Sequence, residues 1–210
     1  MFALVEDGKI TQMPKGNKGI TLGDNQYPAS IYTLWTEAER NAIGIYTVEI
    51  DNTNKKDEEW YINTNITYTY DSSANKVKGT YGTATALEHA DTKWTQAQID
   101  DPSLVGQAPD GADTNTVRME GLKTKLIRDI KSQAEGILNA TDWYITRKAE
   151  KSTAIPSSIT THRDAVRTKQ AEMETAITNA ADTPALETLY TYTVTDGVQS
   201  RPLGELPTLE

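Results

Sequence analysis

Polar and apolar side chains alternate with a period of two from Trp60 to Tyr70. Trp60, Ile62, Thr64, Ile66, Tyr68 and Tyr70 fall on one face, and Tyr61, Asn63, Asn65, Thr67 and Thr69 on the other. That alternation predicts a half-buried strand. Asp71 to Lys76 has the composition of a turn, and Val77 to Thr85 is expected to return as the partner strand, weakened by Gly79 and Gly82. Nearer the start, Phe2-Ala3-Leu4-Val5 runs into Asp7-Gly8, a strong hairpin signal. Residues 14 to 26 are rich in glycine, proline and asparagine and are expected to be a loop. Thr36 and Glu39 form a capping box that opens a short helix to Ile43, with Gly44 to close it. Ile45 to Ile50 then alternates as a strand.

The period changes to that of a helix near Val117. Leu122, Leu126, Ile130 and Ala134 make an i, i+4 row, joined by Ile127, Ile137 and Leu138. A helix of roughly 22 residues there spans about 33 Å. A second helix is expected after Pro156, capped by Ser157 or Ser158. Its inward positions are Ile159, His162, Val166, Lys169, Met173, Ala176 and Ala180, a narrow seam suited to packing on the first helix. Thr141-Asp142-Trp143 falls in the connection, so the pair is expected to be joined by a turn that carries a tryptophan.

Together these patterns predict an α+β chain in four parts. Residues 1–86 form a β-rich module with one short helix. Residues 87–116 are a polar linker with at most one helical turn near Thr95. Residues 117–183 form a helical hairpin. Residues 184–210 are an extended tail that holds a short helical stretch at Ala185 to Leu189 and a Thr195-Asp196-Gly197 turn.

Composition narrows the function classes. Of the 210 residues 37% are hydrophobic, which favours two modest cores over one large one. A net charge of −9 argues against sequence-independent DNA binding, because phosphates need a basic surface. No stretch approaches the roughly 18 apolar residues of a membrane span. The start, Met1-Phe2-Ala3-Leu4-Val5, lacks the basic region of a signal peptide and meets Glu6-Asp7 at once. Without cysteine there is no disulfide framework and no thiolate metal site, and folding in a cytosol is expected.

Candidate chemistry is sparse. His162-Arg163-Asp164 matches three letters of the protein-kinase catalytic loop, but the Gly-rich loop, strand lysine and Asp-Phe-Gly segment are missing. His89 and His162 have no supporting zinc or triad spacing. Glu58-Glu59, Asp100-Asp101 and Glu172 with Glu174 are carboxylate pairs in charged, polar surroundings, where solvation is the default. The Asn65-Ile66-Thr67 and Asn139-Ala140-Thr141 sequons are read as accidental, because nothing indicates secretion. No catalytic residue, metal or cofactor is therefore expected.

Aromatic side chains carry the remaining signal. Tyr61, Tyr68, Tyr70 and Tyr81 read either as cross-strand packing or as a platform for a carbohydrate or a protein. Trp143 reads either as the anchor of the helical hairpin or as a hot spot offered to a partner. The residues expected to meet a partner are Trp143, Arg163, Arg167, Tyr68 and Tyr70.

Ile137-Leu138, then Thr141-Asp142-Trp143, then His162-Arg163-Asp164-Ala165-Val166-Arg167 follow one another in an order that resembles the C-terminal domain of phage tail assembly chaperones and tail-fibre assembly proteins. That family has a helix ending in Leu-Leu, a Thr-Asp-Trp triplet, a variable insert and a Tyr-Arg-x-x-Leu-Arg helix. The run from Thr141 to Lys148 and on through Glu172 to Ile177 looks like virion structural proteins of tailed phages of marine cyanobacteria. Tyr27-Pro28, Leu34-Trp35, Thr36 to Arg40 and Ile43-Gly44-Ile45 resemble a small β module that opens many such tail proteins. The resemblance covers roughly residues 1–85 and 117–182. It departs from the pattern at His162, where the family has tyrosine, and in lacking the tryptophan before the arginine motif and the closing Trp-Pro. It implies a non-enzymatic virion protein of a phage tail, at the fibre or baseplate, that folds in the host cytoplasm. Its partners would be other tail or fibre proteins, with a homo-oligomer and a host surface glycan as further alternatives. A tail-fibre assembly chaperone and a carbohydrate-binding receptor module remain as alternative functions.

Overall fold

A computed structural model describes residues 1–209. The chain divides into two compact units, the first Met1–Thr85 and the second beginning at Ala86.

The first unit is built on a five-stranded mixed sheet. β1 (Phe2–Glu6) turns through Asp7 and Gly8, with φ of 50° and 75°, into β2 (Lys9–Gln12). Two successive positive φ values match the twist of a two-residue hairpin, which is why Asp-Gly serves here. β3 (Ile20–Leu22) and β4 (Asn25–Tyr27) pair as a small hairpin. This corrects the expectation of a plain loop over 14–26, since three-residue strands are too short to show a period. After α1 (Ile31–Leu34), Thr36 caps α2 (Glu37–Ala42) with both halves of the expected box, its hydroxyl accepting from the Glu39 amide and its own amide donating to the Glu39 carboxylate. Gly44, at φ 81°, ends the turn where an added Cβ would lie 2.7 Å from the Val5 carbonyl. β5 (Ile45–Asp51) follows, then β6 (Tyr61–Ile62), β7 (Ile66–Asp71), β8 (Lys76–Tyr81) and β9 (Thr85–Ala86). The sheet order is β2-β1-β5-β8-β7, with β5 and β8 parallel and the other pairs antiparallel.

The strand expected from Trp60 to Tyr70 is broken in the middle. Asn63 closes a side loop, accepting from the Lys56 amide at 2.8 Å and donating to the Lys56 carbonyl at 2.9 Å. Its partner strand likewise stops at Tyr81. Alternate residues of the sheet serve two cores. Leu4 and Ile45 pack with Ile20, Ile31 and Tyr32 on one face; Ala3, Tyr46, Val48 and Val77 form the other, with Tyr68 and Tyr70 against them.

The second unit is mainly helical, so the chain is α+β as expected. β10 (Thr92–Lys93), α3 (Gln96–Ile99), a 3-10 turn at Pro102–Leu104 and β11 (Val117–Met119) precede α4 (Leu122–Asn139), α5 (Asp142–Lys151), α6 (Ser157–Asn179) and α7 (Thr183–Tyr190). β12 (Thr193–Thr195) and β13 (Val198–Ser200) close a last hairpin. α4 and α6 pack antiparallel: Arg163 reaches the Leu138 carbonyl at one end, and Lys123 reaches the Thr178 carbonyl at the other. Ile130 and Ala134 of α4 and Ile159, Val166, Met173 and Ile177 of α6 are buried. Ile177 takes the place expected for Ala176, and Lys169 stays partly exposed.

Two expectations change here. Residues 87–116 are more than a linker with one helical turn: they carry β10 and α3, and they supply acceptors to the first amide groups of α4, which its own turns cannot. Leu122 donates to the Glu88 carbonyl and Lys123 to the His89 carbonyl, both at 3.0 Å, and β10 pairs with β11. The Thr183 hydroxyl adds a 2.6 Å bond to the Leu87 carbonyl from the start of α7. The expected turn around Trp143 is a helix, α5, with Asp142 in its first turn, Lys148 and Lys151 in its last, and Ser152 left-handed at its end. In the tail, α7 stands where the short helix was expected and the β12–β13 hairpin closes around the expected Asp196-Gly197 turn, and Leu203 is buried with its amide on the Leu189 carbonyl.

Candidate interaction surfaces

The two ends of the Thr-Asp-Trp to Arg pattern meet in space. Thr141 is buried at the junction of α4 and α5, and its hydroxyl donates to the Leu138 carbonyl at 2.9 Å. Arg163, itself buried on α6, donates to the same carbonyl at 2.7 Å and to the Thr141 hydroxyl at 2.6 Å. Its other terminal nitrogen pairs with the Asp142 carboxylate at 2.8 Å. One guanidinium thus fixes the C-terminus of α4 and the N-terminus of α5 together, using the forked donors that only arginine has. Arg163 is therefore a structural pin; it does not face a partner, which corrects the expectation for this residue.

With Thr141 and Asp142 held, Trp143 turns outward and is 51% exposed. It does not anchor the helix pair. Its indole stacks on Tyr144 with centroids 3.8 Å apart, and the Arg147 guanidinium sits 4.7 Å from the indole and 5.2 Å from the phenol ring. Arg147 lies one turn after Trp143, so a helix is what brings them together. Ile145 adds a further exposed apolar side chain on α5. Tryptophan, tyrosine and arginine are the residues most enriched at the energetic centres of protein interfaces. Sequence reasoning named Trp143 but missed Tyr144 and Arg147, whose spacing has meaning only once residues 142–151 are helical.

Arg167 is half-exposed, pairs with Asp164 at 3.3 Å, and lines an open groove with Leu138, Gln170, Ala171 and Glu174. Its side chain is open to solvent.

Tyr68 and Tyr70 face inward. Tyr70 lies 4.9 Å from the Tyr46 ring, and the two hydroxyls share a hydrogen bond of 3.2 Å. That hydrogen bond, with burial, pushes the Tyr46 phenol up to about 12. Gly79 makes room for Tyr68, since a Cβ there would come within 2.9 Å of its ring as well as of Ile50 and Ile66. The glycine expected to weaken the strand is instead a packing surface, and the tyrosines are spent on the core rather than on a platform.

The chemistry-like motifs dissolve into ordinary surroundings. His162-Arg163-Asp164 is the second turn of a helix, with the first two residues buried and Asp164 exposed. Glu172 and Glu174 are engaged by Lys169 and Lys131. Among the described residues there is no group of three or more His, Asp or Glu side chains placed to hold a metal ion, and no helix is long and apolar enough to cross a membrane. Several aspartates have carboxyls held below the usual range by hydrogen bonds from neighbouring hydroxyls and amides. Asp71 is held by Ser73 and Ala74, and Asp91 by the Thr124 hydroxyl and the Gly121 amide. These are turn and cap contacts.

Comparisons with protein-family models, with curated proteins and with solved structures find no match to this chain.

Proposed function

We propose that the chain is a non-enzymatic structural component of a bacteriophage tail, associated with a fibre or the baseplate, and that it works through protein–protein contacts in the virion. The α5 surface of Trp143, Tyr144 and Arg147 is one of those contacts. What supports this reading is the Arg163 pin. The residues that carry the resemblance to tail assembly proteins, Leu138, Thr141-Asp142-Trp143 and the arginine helix, are joined by three direct bonds, beside which the tryptophan turns outward. A pattern that costs a buried guanidinium to hold an exposed indole is suited to recognition.

Peptide mass spectrometry of purified particles from a phage carrying this sequence tests the reading. Detection in a fixed ratio to the other tail proteins is the expected result. Absence from particles, with the chain found on unassembled fibres in the lysate, would replace it with the assembly-chaperone alternative. Absence from both would remove both.

A further inference from the structure

Every strand residue of the β12–β13 hairpin is exposed, on both faces, with Val194 at 71% and Val198 at 66%. A two-stranded hairpin by itself is marginal in water and needs a further strand or a packed face. This one is nevertheless fixed at its base. The Arg201 guanidinium lies 5.1 Å from the Tyr190 ring centroid and 5.2 Å from that of Tyr192, and Arg201 and the Tyr192 hydroxyl both bind the Glu205 carboxylate. Buried Leu203 anchors the segment that follows. The hairpin is thus held in place while its strands stay uncovered.

β12 and β13 pair with each other and, among the described residues, with no other strand, so both edges are open. Folded proteins blunt such edges with lysine, proline or a bulge. The β10–β11 pair in the same unit has Lys93, Arg118 and a register shift between Thr92 and Lys93. From Thr193 to Ser200 there is no lysine, arginine or proline, and the register runs without a shift. The one charge is Asp196, in the turn at φ 53°. A two-residue turn makes Thr195 and Val198 the hydrogen-bonded pair beside it, so Val194, opposite Gln199, directs its backbone N–H and C=O away from β13. β12 therefore offers an unprotected edge of three β-branched residues, the type favoured in strands.

We propose that β12 is a dimerisation edge, pairing antiparallel with β12 of a second copy of this chain about a two-fold axis at Val194 to make a four-stranded sheet. The register selects this occupant. Antiparallel pairing centred on Val194 sets Val194 against Val194 and Thr193 against Thr195, the like-with-like pairs that stabilise antiparallel strands. It also sets Asp196 of each copy beside Tyr192 of the other, whose ring carries the Arg201 guanidinium. The single carboxylate of each hairpin thus lies near a cation of the second copy and opposite no acidic residue. Pairing through the other edge, centred on Gln199, would set glutamine on glutamine and Gly197 on Arg201, with neither gain. A contact of this size falls well under the roughly 1,200 Å² of a stable complex, so the dimer forms at high concentration or where copies are held together. The edge is separate from the α5 surface and does not depend on the role proposed for it.

Sedimentation velocity and amide NMR of the full chain, over concentrations up to the millimolar range, test the edge. A reversible monomer–dimer equilibrium is expected, with saturating shifts at Tyr192 to Thr195 that exceed those at Val198 to Ser200. Val194→Lys sets like charges opposite each other and should weaken dimerisation about tenfold or more. Val105→Lys, the same change at a valine 81% exposed elsewhere, should leave it unchanged. The chain has no cysteine, so Val194→Cys provides a single thiol. Cα atoms of a hydrogen-bonded antiparallel pair lie about 5.5 Å apart, within disulfide reach, and mild oxidation should link the Val194→Cys variant faster than Val105→Cys. A chain monomeric at every concentration, a dimer unchanged in folded Val194→Lys, shifts confined to other regions, or equal cross-linking rates would each overturn the proposal. Protection of the β12 amides only when another protein is added would overturn it in favour of a strand from that protein.

Discussion

Arg163 donates a 2.6 Å hydrogen bond to the hydroxyl of Thr141, twenty-two residues earlier, inside the helical unit. The same guanidinium also reaches the Leu138 carbonyl and the Asp142 carboxylate, so its removal would cost three contacts at one junction. Arg163→Met should therefore destabilise the unit by about 2 kcal/mol, from the charge-assisted bonds that are lost. The shift in urea midpoint of the helical signal measures this. A change below about 0.5 kcal/mol, the usual range for a surface substitution, would show that the pin is unimportant.

Trp143 behaves differently because it is exposed. If it anchored the helices, Trp143→Ala would cost about 3 to 5 kcal/mol. Exposed and stacked only on Tyr144 and Arg147, it should cost about 1 kcal/mol or less. Thermal unfolding distinguishes the two. An early collapse of the helical unit in the variant would return Trp143 to the core.

Asp91 accepts from the Gly121 amide at 2.8 Å and from the Thr124 hydroxyl at 2.7 Å, serving as a remote cap for α4 where Gly121 has no side chain. Loss of a capping group costs about 1 kcal/mol, and Asp91→Ala should show that loss at neutral pH. The carboxyl is depressed in the folded chain, so its contribution is present above its unfolded pKa and disappears as pH falls through the lower folded value. Wild-type stability should thus drop in the acid range below about pH 4, and Asp91→Ala should show a shallower drop. Equal pH slopes in the two proteins would contradict the cap.

Tyr46 carries the largest phenol shift, to about 12, with the Tyr70 hydrogen bond as its first cause. A raised tyrosine pKa stabilises the fold below the unfolded value near 10 and is lost as pH climbs through 12. Tyr70→Phe should move the Tyr46 titration to lower pH, read by NMR of tyrosines labelled at the ring carbon bearing oxygen. An unmoved Tyr46 would mean that the pair is not formed in solution.

Local signals were legible in the sequence, and distant ones were not. The Asp7-Gly8 hairpin and the Thr36–Glu39 box lie within four residues of everything that defines them, and both formed as expected. The period of two placed Ile66, Tyr68 and Tyr70 on one face correctly, but only tertiary packing against Tyr46 and Val77 decided that this face was inward. Residues 87–116 read as a linker because their partners are remote: the Asp91 carboxylate finds its amide thirty residues on. α5 was missed because Trp143, Tyr144 and Ile145 are consecutive and give no helical period. The outward turn of Trp143 followed from Arg163, whose role no spacing could reveal.

A cryo-EM map of the intact particle tests the central claim most directly. The account predicts density for this chain in the tail, with the Trp143, Tyr144 and Arg147 face of α5 covered by a neighbouring subunit. A particle map without the chain, or one in which that face of α5 is open to solvent, would contradict it.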